Sequence, residues 1–259
     1  MSSKKIIVVT PVLCPSQNVL NTIEKCFYSI RKAVDKVNAK WIVVDDGSLV
    51  GQDFFEKIAD VYLKNKKTIG VSYSLNRGMK IKQDVDFLVK LDSDYLVPEN
   101  LFEVLLTDWS EDLAFIAPSF QYSRPTEESS YDINTLPHPE GGIIDWPSGY
   151  NKNALYQWGG GIMMFEAKKL KEIDYFDEEF GIASAQDNDV IYRILMKGHK
   201  WRWTKNVVVR HFASISSTDP NAPDSRSERR RIGTEIFIKK HGFPPGEFLS
   251  RVIRHFKYD

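Results

Sequence analysis

The chain has 259 residues, in which 35 Lys plus Arg balance 35 Asp plus Glu, with 42% hydrophobic residues, 12% aromatic residues and two cysteines. That composition excludes a disordered chain, which is poor in apolar residues and strongly charged, and the zero formal net charge gives no electrostatic reason to expect nucleic acid as a partner. Cys14 and Cys26 cannot build a disulfide framework and stand in no C-x-x-C pair, which argues for a reducing compartment and against structural zinc. No apolar run near the start approaches the roughly 18 residues of a membrane span, and no signal-peptide pattern opens the sequence, so the expectation is a cytosolic protein.

In chain order, Ile6 to Thr10 is a continuous apolar run, as expected for a strand buried on both faces. Pro15 and Ser16 then open a helix whose Val19, Leu20, Ile23, Phe27, Ile30 and Val34 recur at helical spacing and lay one apolar stripe on a sheet. Trp41 to Val44 predicts a second strand, and Phe54, Phe55, Ile58, Ala59 and Tyr62 a second helix. Ile69 to Tyr73 is expected to be a third strand and Val85 to Leu91 a fourth. This alternation predicts an α/β fold, a mostly parallel sheet wrapped by helices, with ligands beyond the carboxyl ends of the strands. Thr10 follows the first strand, Asp45 and Asp46 the second, Asn76, Arg77 and Gly78 the third, and Asp92 and Asp94 the fourth. Further on, Leu113 to Ala117 predicts a strand, residues 119–158 form a long Pro- and Tyr-bearing segment, and Gly159 to Phe165 is Gly-rich and then apolar. A structureless stretch of that length is usually functional, and we read it as part of a substrate-facing surface. Residues 219–231, rich in Pro, Ser and Arg, read as a loop that ends the compact core.

The chemistry begins with Leu91-Asp92-Ser93-Asp94 at the end of an apolar strand. A turn after Leu91 lets both carboxylates address one point, and oxygen ligands with open positions suit Mg2+ or Mn2+, which bind through one or two carboxylates plus substrate phosphates. An Asx turn or a cap ahead of Pro98-Glu99-Asn100 is the plainer alternative. Val43-Val44-Asp45-Asp46-Gly47-Ser48 brings two more acids to a neighbouring strand end, where a carboxylate can accept from a nucleobase imide or a ribose hydroxyl, or can simply turn the chain.

The ordered series VVDDGS, NRG, LVKLDSDYLVPENL, WGGGIMMFEAKKLKEIDYFDEEFG, AQDNDVIYRILMKGHKW and VVVRHFAS resembles the inverting family 2 glycosyltransferases with the GT-A fold, over roughly residues 5 to 215. The resemblance implies a Rossmann-like, mixed and mostly parallel sheet flanked by helices. It divides the chain into a domain over 1–218, with a nucleotide-binding half at 1–110 and an acceptor-binding half at 111–218, and a C-terminal loop and helical tail at 219–259. By resemblance Thr10 and Pro11, with Asp45 and Asp46, hold the nucleotide base, Arg77 is a further nucleotide contact, Asp92 and Ser93 lie near the ribose, and Asp94 binds a Mn2+ or Mg2+ ion. An ion bridging both phosphates would offset charge building on the leaving diphosphate.

In that family a Glu-Asp pair precedes a further Asp and an Arg on a helix, and its second member is the general base. Gln186-Asp187-Asn188-Asp189 with Arg193 is the matching run, so Asp187 is the implied base, and Gln186 departs from the usual Glu. Asp187 as a mere helix cap is the alternative. Asp189 and Arg193, four apart, read as a structural ion pair. His211, after Val207 to Val209, matches a position where such enzymes often place a metal-ligating His, and a strand-end hydrogen bond is its other reading. Gly159, Gly160 and Gly161 lack the spacing of a dinucleotide loop and would let backbone approach the donor sugar. Trp146, Tyr150, Tyr156 and Trp158 read either as an acceptor platform or as core.

In the tail, Phe248, Leu249, Val252, Ile253 and Phe256 share one stripe with Arg251, Arg254 and Lys257 among them, which suits packing on the domain or peripheral contact with an anionic membrane. The expected activity is metal-dependent, inverting transfer of a sugar from a nucleotide-diphosphate donor, UDP first, to a glycan, lipid-linked or small-molecule hydroxyl. A retaining enzyme using the D-x-D pair and His211 and a non-catalytic nucleotide-sugar binding module are the alternatives, the latter favoured by Gln186.

Overall fold

The computed structural model describes residues 4–81, 84–123, 131–137, 139–146, 160–212, 215–216, 218–222 and 225–256. Strand β1 (Ile6–Val12) is buried along its whole length, as its unbroken apolar run requires. Helix α1 (Gln17–Lys36) starts at Ser16, whose hydroxyl accepts from the Val19 amide, and buries Leu20, Ile23, Phe27, Ile30 and Val34. Phe27 packs edge-on to Trp41 at 5.0 Å. Fully burying a side chain of this size contributes roughly 1.5 to 3 kcal/mol, so this helix is held mainly by its stripe. Strand β2 (Lys40–Asp45), helix α2 (Gln52–Ile58), strand β3 (Val61–Lys64), helix α3 (Val71–Met79) and strand β4 (Phe87–Leu91) complete the first half.

The second half comprises β5 (Tyr95–Leu96), α4 (Leu101–Thr107), β6 (Leu113–Tyr122), β7 (Ile143–Trp146), β8 (Ile162–Glu166), α5 (Ala167–Glu172), α6 (Gln186–Met196), β9 (Lys200–His211), α7 (Arg226–His241) and α8 (Phe248–Phe256). The strands form one sheet in the order β3-β2-β1-β4-β8-β6-β9-β5, with β7 also on β9. Pairing is parallel among β1 to β4 and between β6 and β9, and antiparallel where β8 and the short strands join. The sheet is thus mixed and mostly parallel, with helices on both faces. One core, under α1, α2 and α4, holds Phe27, Trp41 and Phe102, and the other, under α3, α5, α6, α7 and α8, holds Phe165, Ile191 and Phe237. Among the described residues no helix is long and apolar enough to cross a membrane.

Several expectations need correction. The third strand is Val61–Lys64, and the run from Ile69 to Tyr73 enters α3 instead. Gly70 breaks the apolar run at φ +122 and N-caps a helix whose Leu75 and Met79 are buried four residues apart, a helical period that outweighs the β-like composition. Asn76, Arg77 and Gly78 therefore sit inside a helix, not at a strand end. Tyr62 belongs to β3, since α2 ends at Ile58. The 219–231 loop gives way at Arg226 to α7, capped by the Ser225 hydroxyl accepting from the Glu228 amide; Ser225 followed three residues later by Glu228 is the start signal that the Arg-rich composition obscured. The long segment 119–158 is also not structureless where described, because β6 runs on to Tyr122 and β7 occupies Ile143–Trp146.

The tail joins the main core. Phe248, Leu249 and Val252 of α8 are buried with Phe237 of α7, and Ile253 and Phe256 pack beside them, so the apolar stripe faces the domain. Lys257 lies outside the described residues.

Candidate active site

In the order β3-β2-β1-β4 the chain turns outward in opposite directions from β1, so the carboxyl ends of β1 and β4 flank a topological switch point, where open α/β sheets bind ligands. A cavity of about 170 Å³ lies there, lined by Pro11, Asp46, Asp92, Asp94, Gln186 and Arg229 among others. Ser93 lines it too.

The β2 acids differ in placement. Asp45 is fully buried, accepting from the Ser48 amide at 2.7 Å and the Tyr62 hydroxyl at 2.7 Å, so it shapes the turn behind the cavity wall. Asp46 faces the cavity and accepts from the amides of Ile69 at 3.0 Å and Gly70 at 2.8 Å and from the Asn65 side chain at 2.8 Å. Thr10 is buried, its hydroxyl accepting from the Trp41 indole at 2.9 Å. Arg77, on α3, donates to the Lys64 carbonyl at 2.9 Å and to Asn65 at 2.6 Å. Thr10, Asp45 and Arg77 are thus one layer behind Pro11 and Asp46.

The D-x-D turn holds the densest charge. Lys90 of β4 is fully buried, and its ammonium lies 2.8 Å from one Asp92 oxygen and 2.9 Å from the other, donates to the Gly160 carbonyl at 2.6 Å, and stands 3.4 Å from Asp187 Oδ1 on α6. Burial alone would lower the Lys90 pKa; Asp187 and Asp92 reverse this and raise it. Burial pushes the Asp92 carboxyl up to about 6, with Lys90 opposing and the charges of Asp187 and Asp94 adding to the rise. Asp187 is likewise raised by burial against the pull of Lys90.

Asp187 is not the cap of α6: that place belongs to Ala185 at φ 73, without any side-chain cap bond. Gly160 and Gly161 are glycines because the backbone passes so close. A Cβ on Gly160 would lie 2.5 Å from Asp187 Oδ2, and one on Gly161 would lie 2.4 Å from the Tyr95 hydroxyl. Asp189 and Arg193 do form the expected ion pair, at 2.7 Å, and His241 joins Asp189 at 2.8 Å.

Asp94 Oδ2 lies 3.4 Å from His211 Nε2, brought there by the β5–β9 pairing that sets Tyr95 opposite His211. The imidazole stacks on the Tyr95 ring at 4.2 Å and 10°, which fixes its plane. Among the described residues no group of three His, Cys, Asp or Glu is gathered as a complete ion cage. A carboxylate and an imidazole nitrogen converging on one point nevertheless fit a divalent ion whose remaining ligands are substrate phosphates and water.

Several buried polar atoms around the cavity have no hydrogen-bond partner among the described residues: the Tyr95 hydroxyl, Gln186 Oε1, Asp187 Oδ1 and His211 Nδ1. Buried polar groups are normally satisfied, so these four atoms are open to a ligand's polar groups. Sequence reading missed Lys90, masked as one polar residue within an apolar strand, Tyr95, and Arg229, hidden in a stretch read as loop. Tyr150, Tyr156, Trp158 and Gly159 lie outside the described residues, as does the side chain of Trp146.

The family model for glycosyl transferase family 2 matches residues 12–168, 157 of the 259 residues. No curated protein matches the chain. Among solved structures it is similar to residues 1–349 of S. aureus TarS, at 16% identity and TM-score 0.57, covering 92% of this chain and 72% of that one; the same fragment is also solved with UDP. It is similar to GalNAc-T7 with UDP, GalNAc and Mn2+, at 16% identity and TM-score 0.59, over 80% of this chain and 43% of the other. The mannosyltransferase PcManGT from Pyrobaculum calidifontis, in complex with GDP-Man and Mn2+, gives 14% identity and TM-score 0.59, over 82% and 57%. At these identities the likeness establishes the GT-A fold, and the chain spans about half the length of the latter two.

Proposed function

The chain belongs to glycosyl transferase family 2, and from that premise we propose that it is a metal-dependent, inverting glycosyltransferase that moves one sugar from a nucleotide-diphosphate donor, UDP first, to a hydroxyl acceptor. One observation carries the reading: Asp46, the Asp92–Asp94 turn and Gln186, from three separate stretches of chain, border one cavity, with Asp187 joined to it through Lys90. UDP in the TarS and GalNAc-T7 structures and GDP-Man in PcManGT support a nucleotide-sugar donor.

In this reading Pro11, Asp46 and Ser93 border the nucleoside, backed by Thr10, Asp45 and Arg77, with Asp92 at the ribose, and Arg229 faces the leaving diphosphate from the cavity wall. Asp94 and His211 would hold Mn2+ or Mg2+, as Mn2+ in two of the similar structures supports. Bound there, the ion supplies positive charge opposite the departing diphosphate. The backbone at Gly160 and Gly161, with Gln186, borders the sugar.

The acceptor oxygen attacks the anomeric carbon as the bond from that carbon to the phosphate oxygen breaks, its electron pair leaving with the diphosphate. The hydroxyl proton passes to the Asp187 carboxylate. A base so placed supplies typically about 10² to 10⁴ in rate, and one displacement inverts the anomeric centre.

A melting panel of UDP, GDP, dTDP and ADP with and without Mn2+ tests the reading, because a ligand held only by the folded state raises the melting temperature. UDP is expected to give the largest rise, and a larger one with Mn2+ than without it. No rise from any of the four would overturn the reading.

A further inference from the structure

Lys90 has no place in the chemistry above, and its position needs a reason. It lies in the middle strands of the sheet, paired through β4 with Val9 on one side and Met163 on the other, both fully buried. An ammonium there is costly, and an apolar residue of the same volume would normally serve the core as well or better. The charge is kept beside two carboxylates that reach it from different elements, Asp92 from the end of its own strand and Asp187 from α6. Asp92 is the tighter partner, at 2.8 Å and 2.9 Å, and Asp187 the looser one, at 3.4 Å. The Gly160 carbonyl takes a further proton of the ammonium at 2.6 Å, and the same glycine brings its backbone against the Asp187 carboxylate. One buried cation thereby ties the donor-binding turn, the start of β8 and the helix bearing Asp187 to a single point.

We propose that Lys90 is a positioning residue for the base, fixing the Asp187 carboxylate at a set distance from the D-x-D turn and holding it charged. The proposal rests on the reading of Asp187 as base. Among the described residues Lys90 is the cation beside Asp187, and the Asp92 carboxyl and the Tyr95 hydroxyl lie within reach of the Asp187 charge. Arg229 lines the neighbouring cavity wall. Burial drives Asp187 toward its neutral form, which cannot accept a proton, and Lys90 is the group that opposes this. Arg in its place would keep the charge in a wider, planar head, and Met or Gln would remove the charge while roughly filling the space.

The experiment is a carboxyl ¹³C NMR titration of the full chain with labelled aspartate, the Asp187 signal assigned by its loss in Asp187→Asn. Lys90→Met is expected to raise the Asp187 midpoint by about one pH unit or more, and Lys90→Arg to leave it near the wild-type value. Lys90→Gln serves as the second neutral variant should Lys90→Met fail to fold. An unchanged midpoint in either folded neutral variant overturns the proposal. The readout needs no turnover, so the two readings fail separately: full donor hydrolysis by Asp187→Asn, with UDP-glucose, UDP-N-acetylglucosamine or GDP-mannose as probe, removes the base and with it this role. Lost hydrolysis in Asp187→Asn together with an unmoved midpoint in the Lys90 variants removes only the role of Lys90.

Discussion

Asp94 and His211 meet at 3.4 Å although they are far apart in the sequence, because the two-residue strand β5 pairs antiparallel with the last residues of β9. Both residues of the short strand, Tyr95 and Leu96, are buried in the core. Its effect is to set the carboxylate and the imidazole on one point, with Tyr95 stacked under the ring.

His211→Ala is therefore expected to weaken Mn2+-dependent binding of UDP by about tenfold or more, as loss of groups that hold or orient a metal typically does. Calorimetric titration of UDP with and without Mn2+ reads this, and metal-independent binding should change little. Equal affinity in the two proteins would remove His211 from the ion site.

Gly160→Ala places a Cβ 2.5 Å from Asp187 Oδ2. The same carbon would stand 2.7 Å from the Asp187 Cβ, so the start of α6 must give as well as the carboxylate; stability should fall, and donor hydrolysis should fall by about tenfold to a hundredfold, the cost of misplacing a catalytic group by an ångström. Melting curves and hydrolysis rates read the two losses.

Asp189 is buried and accepts from Arg193 at 2.7 Å and pairs with His241 of α7 at 2.8 Å, so it locks α6 to the C-terminal helices. Arg193 also donates to the carbonyls of Ile173 and Tyr175. Asp189→Ala should cost about 3 kcal/mol, the lower end for breaking a buried pair, since Arg193 keeps 23% of its side chain exposed. Urea unfolding measures it.

Lys240 of α7 pairs with Asp177 at 2.7 Å and Glu179 at 2.6 Å. The Lys240 charge holds both carboxyls below their usual values, although burial works against it at Asp177, and the two hydrogen bonds raise Lys240. Depressed carboxyls contribute stability above their unfolded pKa, about 4, and lose it as pH falls through the lower folded values. The raised lysine contributes below about 10.4 and loses it as pH rises through its higher folded value. Through the partly buried Asp177 pair alone, Lys240→Met should thus cost about 0.5 kcal/mol at pH 7 and almost nothing at pH 2. Denaturant curves at the two pH values decide.

Much of this was legible in advance where one signal dominated. Continuous apolar runs marked β1, β2 and β4, and the stripe from Val19 to Val34 with Ser16 before it marked α1. The D-x-D turn and the run at Gln186 fell on the same region of the fold because both stand at element ends. Illegible features came from long-range geometry. A half-buried edge strand such as β3 carries a weak pattern, so the better apolar run at Ile69 took its place. Asp45 and Asp46 look alike in sequence, and only the path of the following turn puts one behind the wall and the other on it. Lys90 reads as an interruption in a strand until the approach of α6 and Gly160 supplies its partners.

The turnover of Asp187→Asn set against its affinity for UDP and Mn2+ decides whether Asp187 is the base. Donor turnover is expected to be lower by about a hundredfold or more with UDP binding kept. A variant that binds UDP and turns over donor at the wild-type rate would contradict that assignment.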